Sequence, residues 1–391
     1  MPLVDEIVQR HREMTEWRRA LHAMPETAFE EHRTAAFIAE KLESFGIPYV
    51  AGLAGTGIVA TVQGRAEGPA IGLRADMDAL DIEETTNLPY RSTVPGKMHA
   101  CGHDGHMTML LGAARHLAQT RNFAGTVHFI FQPAEEMAGG GKVMVEQGLF
   151  ERFPMQRVFG LHNWPGQAYG TFSGKPGPML AASDVFEITL TGRGAHGAMP
   201  HLGIDPILVA AELVSALQSI ASRAVDPQDS AVVSVTQIHA GDAWNIIPGE
   251  AVLRGTVRCF RPQVRALVEA RLRAITQGIC LAHGAEGRVW YDYRYPPTIN
   301  SAEETALALA AAGEVAAAGG VIADPASSMA SEDFAYMLEA RPGAYLWLGS
   351  GEGIGLHNAG YDFNDELLPI GASYWVRLAE SLLRAESLPK A

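Results

Sequence analysis

The chain has 391 residues, of which 47% are hydrophobic and 19% are charged, and its formal net charge is −14. This length predicts two domains, and the composition is ordinary for globular domains with large cores. The negative charge argues against nucleic acid or an anionic membrane as a partner, because both require a basic surface.

The three cysteines (Cys101, Cys259 and Cys280) form no C-x-x-C pair and are too few for a disulfide framework. The N-terminal stretch MPLVDEIVQRHREM lacks the apolar segment of a signal peptide. We therefore expect a reducing compartment, the cytoplasm.

The first half of the chain alternates helical and strand patterns. Residues 3–45 predict two amphipathic helices, followed by two short strands, GIVATVQG and AIGLRAD. Further on, the helical patterns GHMTMLLGAARHLAQT and KVMVEQGLF alternate with two apolar strands, GTVHFIFQPAEE and RVFGLHNW. This alternation predicts a catalytic α/β domain around a mixed, largely parallel sheet.

The pattern changes over residues 183–295, where strands alternate polar and apolar residues around two long helices. Asp205 is the expected cap of the first of these helices, with Pro206 at its first position. The order β-α-β-β-α-β predicts an inserted α+β ferredoxin-like domain, which leaves residues 1–182 and 296–391 for the catalytic domain.

After the insertion, the apolar stretch at residues 305–323 predicts a soluble helix rather than a membrane span. Ser301 and Glu304 have the spacing of a capping box at its start.

Several chemically active side chains are expected at the carboxyl ends of strands, where active sites of open α/β sheets collect. Four strand-like runs are followed by Asp76, Asp78, Glu135, Glu136, His162 and His357. The stretch MHACGHDGH adds Cys101 and His103 just before a helix. This set of N, O and S donors is typical of a transition-metal site. Of two adjacent glutamates, one can bind the metal while the other acts as a general base.

Each of these residues also has an ordinary interpretation. A single histidine of a GLHN sequence can be structural, and paired glutamates are common in solvated loops. Cys101 with His103 can also form a nucleophile and its base. The joint occurrence of all these residues at the ends of elements favours a metal site.

The ordered motifs RADMDAL, MHACGHDGH, FQPAEE, GLHN, GRGAHGAMPH, NIIPGE and SEDFAYM span nearly the whole chain. This ordered set of motifs resembles the motifs of the bacterial hippurate hydrolase and N-acyl-amino-acid amidohydrolase group, to which plant auxin-conjugate hydrolases belong. That group lies within the aminoacylase and carboxypeptidase family of dinuclear metallohydrolases. The resemblance implies a catalytic α/β domain with an inserted ferredoxin-like domain, through which a homodimer or homotetramer would form.

The resemblance implies that two divalent cations per subunit are held by five ligands: Cys101, His103, Glu136, His162 and His357. Cys101 matches the bridging aspartate of the wider family. Arg74 replaces a histidine ligand of that family, and His103 is expected to supply the missing imidazole. Thiolate and imidazole favour zinc, although manganese, cobalt or nickel could also bind.

The resemblance also assigns catalytic roles. Glu135 matches the general base, and Asp76 is expected to orient a ligand histidine. His196 is expected to polarise the scissile carbonyl in the partner subunit's site, and Asn245 to bind substrate. Arg258 is a further expected substrate-binding residue.

The expected activity is hydrolysis of the amide bond of N-acyl amino acids, with acetyl or aroyl groups, by a metal-bound hydroxide. A dipeptidase or carboxypeptidase and an N-acetyl-diaminopimelate deacetylase of the same family are the alternative enzymes. A hydrolase with Cys101 as nucleophile and a metal-dependent binding protein are alternatives from other classes.

Overall fold

The computed structural model describes residues 3–136 and 138–384. Helices in these residues are α1 (Asp5–Gln9), α2 (His11–His22), α3 (His32–Ser44), α4 (His103–Thr120), α5 (Gly140–Glu146), α6 (Leu149–Arg152), α7 (Pro206–Ser219), α8 (Pro262–His283), α9 (Ala302–Gly313), α10 (Ala335–Ala340) and α11 (Leu368–Leu382). Short 3₁₀ helices lie at Pro200–Leu202 and Asp365–Leu367, and a π-helical turn extends α7 over Ile220–Ala224.

The strands are β1 (Tyr49–Leu53), β2 (Gly57–Gln63), β3 (Ala66–Asp76), β4 (Ala124–Gln132), β5 (Arg157–Trp164), β6 (Phe172–Ser173), β7 (Gly177–Leu180), β8 (Ala182–Thr191), β9 (Ala195–His196), β10 (Ala231–Ala240), β11 (Ile246–Ile247), β12 (Glu250–Cys259), β13 (Glu286–Tyr295), β14 (Thr298–Asn300), β15 (Val321–Ile322) and β16 (Gly343–Gly349).

The chain divides into two compact units. Unit 1 comprises Met1–Met179, Ile299–Ala326 and Asp333–Ala391, and unit 2 comprises Leu180–Thr298 and Ser327–Glu332. It stays a proposal that residues 183–295 form a domain that dimerises and acts as a lid over the site.

Unit 1 is built on an eight-stranded mixed sheet of order β1-β2-β4-β3-β5-β16-β6-β15. Its centre is parallel, because β3 pairs in parallel with β4 and β5, and β5 pairs in parallel with β16. The sheet confirms the predicted α/β catalytic fold, and it brings the carboxyl ends of β3, β4 and β5 to one edge.

Helices α4 and α11 cover one face of this sheet with a shared apolar core. Along α2, Met14, Trp17 and Leu21 are buried at the three- and four-residue spacing of an amphipathic helix, and they join the same core. The N-terminal helical region predicted as two helices is divided into three, since Arg10 separates α1 from α2.

Unit 2 contains a four-stranded antiparallel sheet of order β10-β12-β8-β13. Helices α7 and α8 pack against it in the chain order β-α-β-β-α-β, which confirms the predicted ferredoxin-like fold. Asp205 caps α7 as expected, because its Oδ1 accepts a hydrogen bond from the backbone N–H of Ile207 at 2.9 Å.

The stretch Pro206–Ala224 is long and apolar enough to cross a membrane by length and composition alone. Val209, Leu213 and Leu217 nevertheless pack in the core of unit 2, which accounts for part of the apolar character of this stretch. Ile207 and Leu208 lie on its exposed side.

Three local predictions are wrong. The helix expected over residues 305–323 ends early, because α9 stops at Gly313 and Val321–Ile322 forms β15. The Ser301 side chain does not cap α9, because its Oγ accepts a hydrogen bond from Gly343 N at 3.2 Å instead. The run before His357 is not a strand: β16 ends at Gly349, and His357 lies on a turn.

Candidate metal centre

The five predicted ligands converge in unit 1. The Cys101 Sγ lies 3.4 Å from His162 Nε2 and 3.3 Å from His357 Nε2. Glu136 Oε1 is 3.3 Å from His357 Nε2 and 3.8 Å from His103 Nε2. Side chains from four separate segments thus point their donor atoms at one small volume.

Gly102 makes the close approach of Cys101 and His103 possible. Its φ of 93° is left-handed, and a Cβ at this position would lie 2.4 Å from Asn163 Oδ1. Only glycine fits such a backbone without strain. The bend ends where α4 begins, so that His103 points back into the site from the first residue of the helix.

Two of the predicted ligand histidines are oriented by backbone carbonyls. His103 Nδ1 donates to Asp78 O at 2.8 Å, and His162 Nδ1 donates to Asn163 O at 2.7 Å. Because a carbonyl only accepts, each Nδ1 carries a proton, and Nε2 is the nitrogen that faces the other predicted ligands.

His357 reaches the site from a turn. Its φ of 60° is left-handed, which is uncommon for a residue other than glycine, and its side chain is 53% exposed. The backbone N–H of His357 donates to Ala100 O at 2.8 Å. This bond holds the turn against the segment that carries Cys101.

Glu135 and Glu136 follow β4 and both reach the site. Donor oxygens of the two carboxylates and the donor nitrogen of His103 lie within 4.8 Å of one another. The backbone N–H of Glu136 donates to Asp78 Oδ2 at 3.0 Å, which fixes the loop. Glu135 is 6% exposed.

The ligand set fits divalent cations. His103 Nε2 and Glu136 Oε1 are buried and have no hydrogen-bond partner among the described residues, as expected of atoms whose partner is a metal. Burial and the neighbouring His106 hold the pKa of His162 well below its usual value, so that its imidazole is neutral. Neutral imidazole, carboxylate and thiolate together are ligands for zinc and similar metals.

The surroundings of Cys101 argue against a nucleophilic cysteine. Burial and the adjacent Glu136 and Glu135 raise the pKa of the Cys101 thiol well above its usual value. A reactive cysteine needs the opposite environment, which lowers the pKa and supplies thiolate. A bound cation would lower the pKa of the Cys101 thiol, since thiols that coordinate a metal are deprotonated.

Arg74 occupies the end of β3 as a buried cation. It donates to Gln132 Oε1 at 2.9 Å, to Asp76 Oδ2 at 2.7 Å and to Asp333 Oδ1 at 3.1 Å. Asp76 accepts a 2.6 Å hydrogen bond from His106 Nδ1. Although burial alone would raise it, His103, His106 and Arg74 hold the pKa of Asp76 well below its usual value.

Asp76 therefore bonds directly to His106, which is not one of the five predicted ligands, while His103 Nε2 lies 3.7 Å away. His106 Nε2 is in turn 2.6 Å from Asn163 Oδ1. The sequence alone favours neither a supporting nor a structural role for His106, and it assigns none to Asn163. Their position in MHACGHDGH and GLHN was the only available indication.

A second buried polar group, here called the Arg18 cluster, comprises Arg18, His22, Asp104, Asp362 and Asp365. Arg18 donates to Asp365 Oδ1 at 2.6 Å and to Asp362 Oδ1 at 2.9 Å, and it lies 3.6 Å from Asp104 Oδ2. His22 Nδ1 is 2.8 Å from Asp104 Oδ2. The cluster joins α2 to the residue after His103 and to the segment that follows His357.

The sequence-predicted residues of unit 2 form a separate group. His196 on β9 pairs with Ile246 on β11, and Gly197 N donates to Asn245 O at 2.7 Å. His196 and Asn245 are therefore neighbours at the two-stranded antiparallel sheet of β9 and β11, and both are exposed.

Arg258 does not lie near the sheet of β9 and β11. Strand β12 starts at Glu250, just after β11, and Arg258 lies at its far end. Its guanidinium donates to Thr256 Oγ1 and Val257 O, and burial lowers its pKa. His201 lies in the 3₁₀ helix Pro200–Leu202 and is exposed.

Comparisons with known proteins agree with this geometry. Residues 72–381 match the family model described as peptidase family M20/M25/M40. A hippurate hydrolase of Campylobacter jejuni is 43% identical over 98% of this chain and 100% of its own length. An N-acetylcysteine deacetylase of Bacillus subtilis is 38% identical over 95% of this chain and 97% of its own.

A solved structure has the same fold. The Bacillus subtilis protein YXEP, described as a dinuclear metal-binding peptidase from the M20 family, superposes with a TM-score of 0.85. It is 36% identical, and the match covers 96% of this chain and 99% of that one.

Proposed function

Because this chain belongs to peptidase family M20/M25/M40, we propose that it is a metal-dependent amidohydrolase that cleaves N-acyl amino acids. The observation that carries the proposal is the convergence of five donor side chains beside a further carboxylate, Glu135. The names of two relatives, a hippurate hydrolase and an N-acetylcysteine deacetylase, support N-acyl amino acids as the substrate class.

Two divalent cations would be held by Cys101, His103, Glu136, His162 and His357, and zinc suits this donor set best. When bound, they would lower the pKa of a coordinated water and polarise the scissile carbonyl. Cys101 would supply the thiolate ligand, and its Sγ lies 3.4 Å from His162 Nε2 and 3.3 Å from His357 Nε2.

Glu135 is the proposed general base. It would take a proton from the attacking water and deliver it to the leaving amine, a contribution of about 10²–10⁴-fold in rate. Its 6% exposure keeps it largely out of bulk solvent, which strengthens its interaction with the reacting water. Asp76, held by Arg74, is a positioning residue that acts through His106.

His196 and Asn245 are the proposed substrate-binding residues of unit 2, with His196 donating to the oxyanion in the partner subunit's site. Their adjacency at the exposed two-stranded sheet of β9 and β11 supports a shared task, because both side chains are exposed there. Arg258, at the other end of β12, is retained as a third, separate substrate-binding candidate.

The oligomer proposed from the resemblance is a homodimer or homotetramer formed through unit 2. Two features support it: Ile207 and Leu208 are exposed on α7, and β10 is an edge strand of the four-stranded sheet with Ile238 exposed. Exposed apolar residues and open strand edges are normally covered in a stable protein. We also propose a cytoplasmic location, because the three cysteines are buried and unpaired.

The test is release of free amino acid from N-benzoyl and N-acetyl amino acids, compared with simple dipeptides and N-acetyl-diaminopimelate. The protein is assayed as purified, after removal of metal by a chelator, and after addition of Zn²⁺ or Mn²⁺. We expect hydrolysis of N-acyl amino acids that disappears on chelation and returns with metal. Preferential cleavage of dipeptides, or metal binding without any hydrolysis, would overturn the proposal.

A further inference from the structure

Two tryptophans stack beside the metal centre, on neighbouring parallel strands of unit 1. The ring centroids of Trp164 on β5 and Trp347 on β16 are 4.1 Å apart, and the rings are inclined by 12°. The two rings are therefore stacked nearly parallel, face to face. This pair has no role in the chemistry assigned above.

The strand geometry places the pair on the side of the sheet to which His162 points. Trp164 follows His162 by two residues on β5, so their side chains leave the strand on the same face. Trp347 is paired with His162 across the parallel ladder, and it points to that face as well. The alternate residues Leu161, Leu346 and Leu348 point the other way, into the core of unit 1.

Trp164 lies close to His162, a predicted metal ligand. The ring centroids of Trp164 and His162 are 6.3 Å apart, with the two planes inclined by 76°. The His162 imidazole itself lies against Cys101 Sγ at 3.4 Å. The Trp164 indole therefore lies within reach of a group bound beside His162 and Cys101.

The pair differs from ordinary core packing in two ways. Trp164 is half-buried rather than fully buried, although it lies at the end of a central strand. The Trp347 Nε1 is buried and has no hydrogen-bond partner among the described residues, whereas a buried indole N–H usually finds one. The partial exposure of Trp164 is the feature expected of a surface that a ligand completes.

We propose that Trp164, supported from behind by Trp347, is the specificity-determining residue for the acyl group, and that it selects aromatic acyl groups. This inference rests on the proposed function. A benzoyl ring is bonded directly to the scissile carbonyl, so it can lie flat or edge-on against an indole at this distance. An acetyl methyl group is too small to cover the ring, and it would gain little from the contact.

The experiment compares kcat/KM for N-benzoylglycine and N-acetylglycine in the metal-loaded wild type and in Trp164→Ala. We expect the wild type to prefer the benzoyl substrate. In Trp164→Ala, kcat/KM for N-benzoylglycine should fall roughly 10- to 100-fold, the range for losing one pocket contact, while that for N-acetylglycine stays within about threefold.

Trp164→Phe retains an aromatic face and should keep most of the preference, whereas Trp164→Leu keeps apolar volume alone and should lose it. Trp290→Ala, an exposed tryptophan of unit 2 on β13, is the matched control and should leave the ratio unchanged. Metal content measured on each variant shows whether the centre is intact, and Trp164→Leu decides the question if the alanine variant does not fold.

An equal fall for both substrates, or no benzoyl preference in the wild type, would overturn the role of Trp164. Failure of the proposed function looks different, because the wild type would then release glycine from neither substrate, with or without added metal.

Discussion

The backbone N–H of His357 donates to the carbonyl oxygen of Ala100 at 2.8 Å. This bond joins two segments that are distant in sequence and that carry the predicted metal ligands Cys101 and His357. Neither segment is part of the central sheet. The centre is therefore assembled from strand ends on one side and from two mutually anchored loops on the other. This arrangement explains why residues remote from the ligands should affect metal binding.

Cys101 should be needed for metal binding and not only for activity. Replacing it by serine in Cys101→Ser removes the soft ligand that lies between His162 and His357, so we expect a large loss of bound metal. Elemental analysis of the purified variant measures this directly. Cys280→Ser, which changes a buried thiol in the core of unit 2, should keep its full metal content. An inactive Cys101→Ser protein with unchanged metal content would instead support a nucleophilic cysteine.

Arg18 should stabilise both the fold and the centre. Arg18→Met leaves Asp362, Asp365 and Asp104 without their buried cation, so the free energy of unfolding should fall by about 3–5 kcal/mol. Because Asp104 follows His103 directly, metal affinity should also weaken, by about 10- to 100-fold. Chemical denaturation and chelator competition measure the two effects.

The matched control for Arg18 is Arg12→Met on the same helix. Arg12 is 93% exposed in its pair with Glu16, and its loss should change the unfolding free energy by less than about 1 kcal/mol. Similar effects from both substitutions would show that the Arg18 cluster has no special importance.

His22 should make stability depend on pH. Burial lowers its pKa, but hydrogen bonds to Asp104 and Glu84 outweigh burial and raise the pKa to about 9. Since the folded pKa lies above the unfolded value of about 6.5, the protonated imidazole stabilises the fold fully below pH 6.5. This contribution, about 3 kcal/mol, should be lost as the pH rises from 6.5 through 9.

His22→Gln isolates this contribution. The difference in unfolding free energy between wild type and variant should be largest near pH 6 and should shrink toward pH 9.5. A difference that is constant over this range would mean that His22 is not charged in the folded protein.

His196 should act in the partner subunit's site. His196→Ala and Glu135→Gln, each nearly inactive alone, should complement when mixed, because one of the two sites in a mixed dimer carries neither change. Random reassortment of equal amounts should restore about a quarter of wild-type sites. If subunit exchange is demonstrated and activity stays at the level of the single variants, the action in trans is refuted.

Much of the fold and of the centre could be predicted because the signals are local. Strand and helix periods gave the ferredoxin-like order of unit 2 and the parallel centre of unit 1, and the family assignment is confirmed. The donor residues lie within short motifs next to element ends, so Cys101, His103 and Glu136 could be proposed as ligands without knowledge of the fold.

The supporting residues were not predictable, because their partners are distant in sequence. Arg18 and His22 have no distinctive neighbours on α2, and only the fold brings them to Asp104 and Asp365. The cap expected at Ser301 failed for the same reason: its hydroxyl is used by Gly343, which a local pattern does not reveal.

The proposed mechanism requires that Glu136 binds metal and that Glu135 stays free as the base. The metal content of Glu135→Gln and Glu136→Gln, each determined together with its turnover of an N-acyl amino acid, separates these two roles. We predict that Glu135→Gln retains both cations and loses about 10²–10⁴-fold in turnover, whereas Glu136→Gln loses metal. Loss of metal in Glu135→Gln with full retention in Glu136→Gln would show that the two roles are reversed.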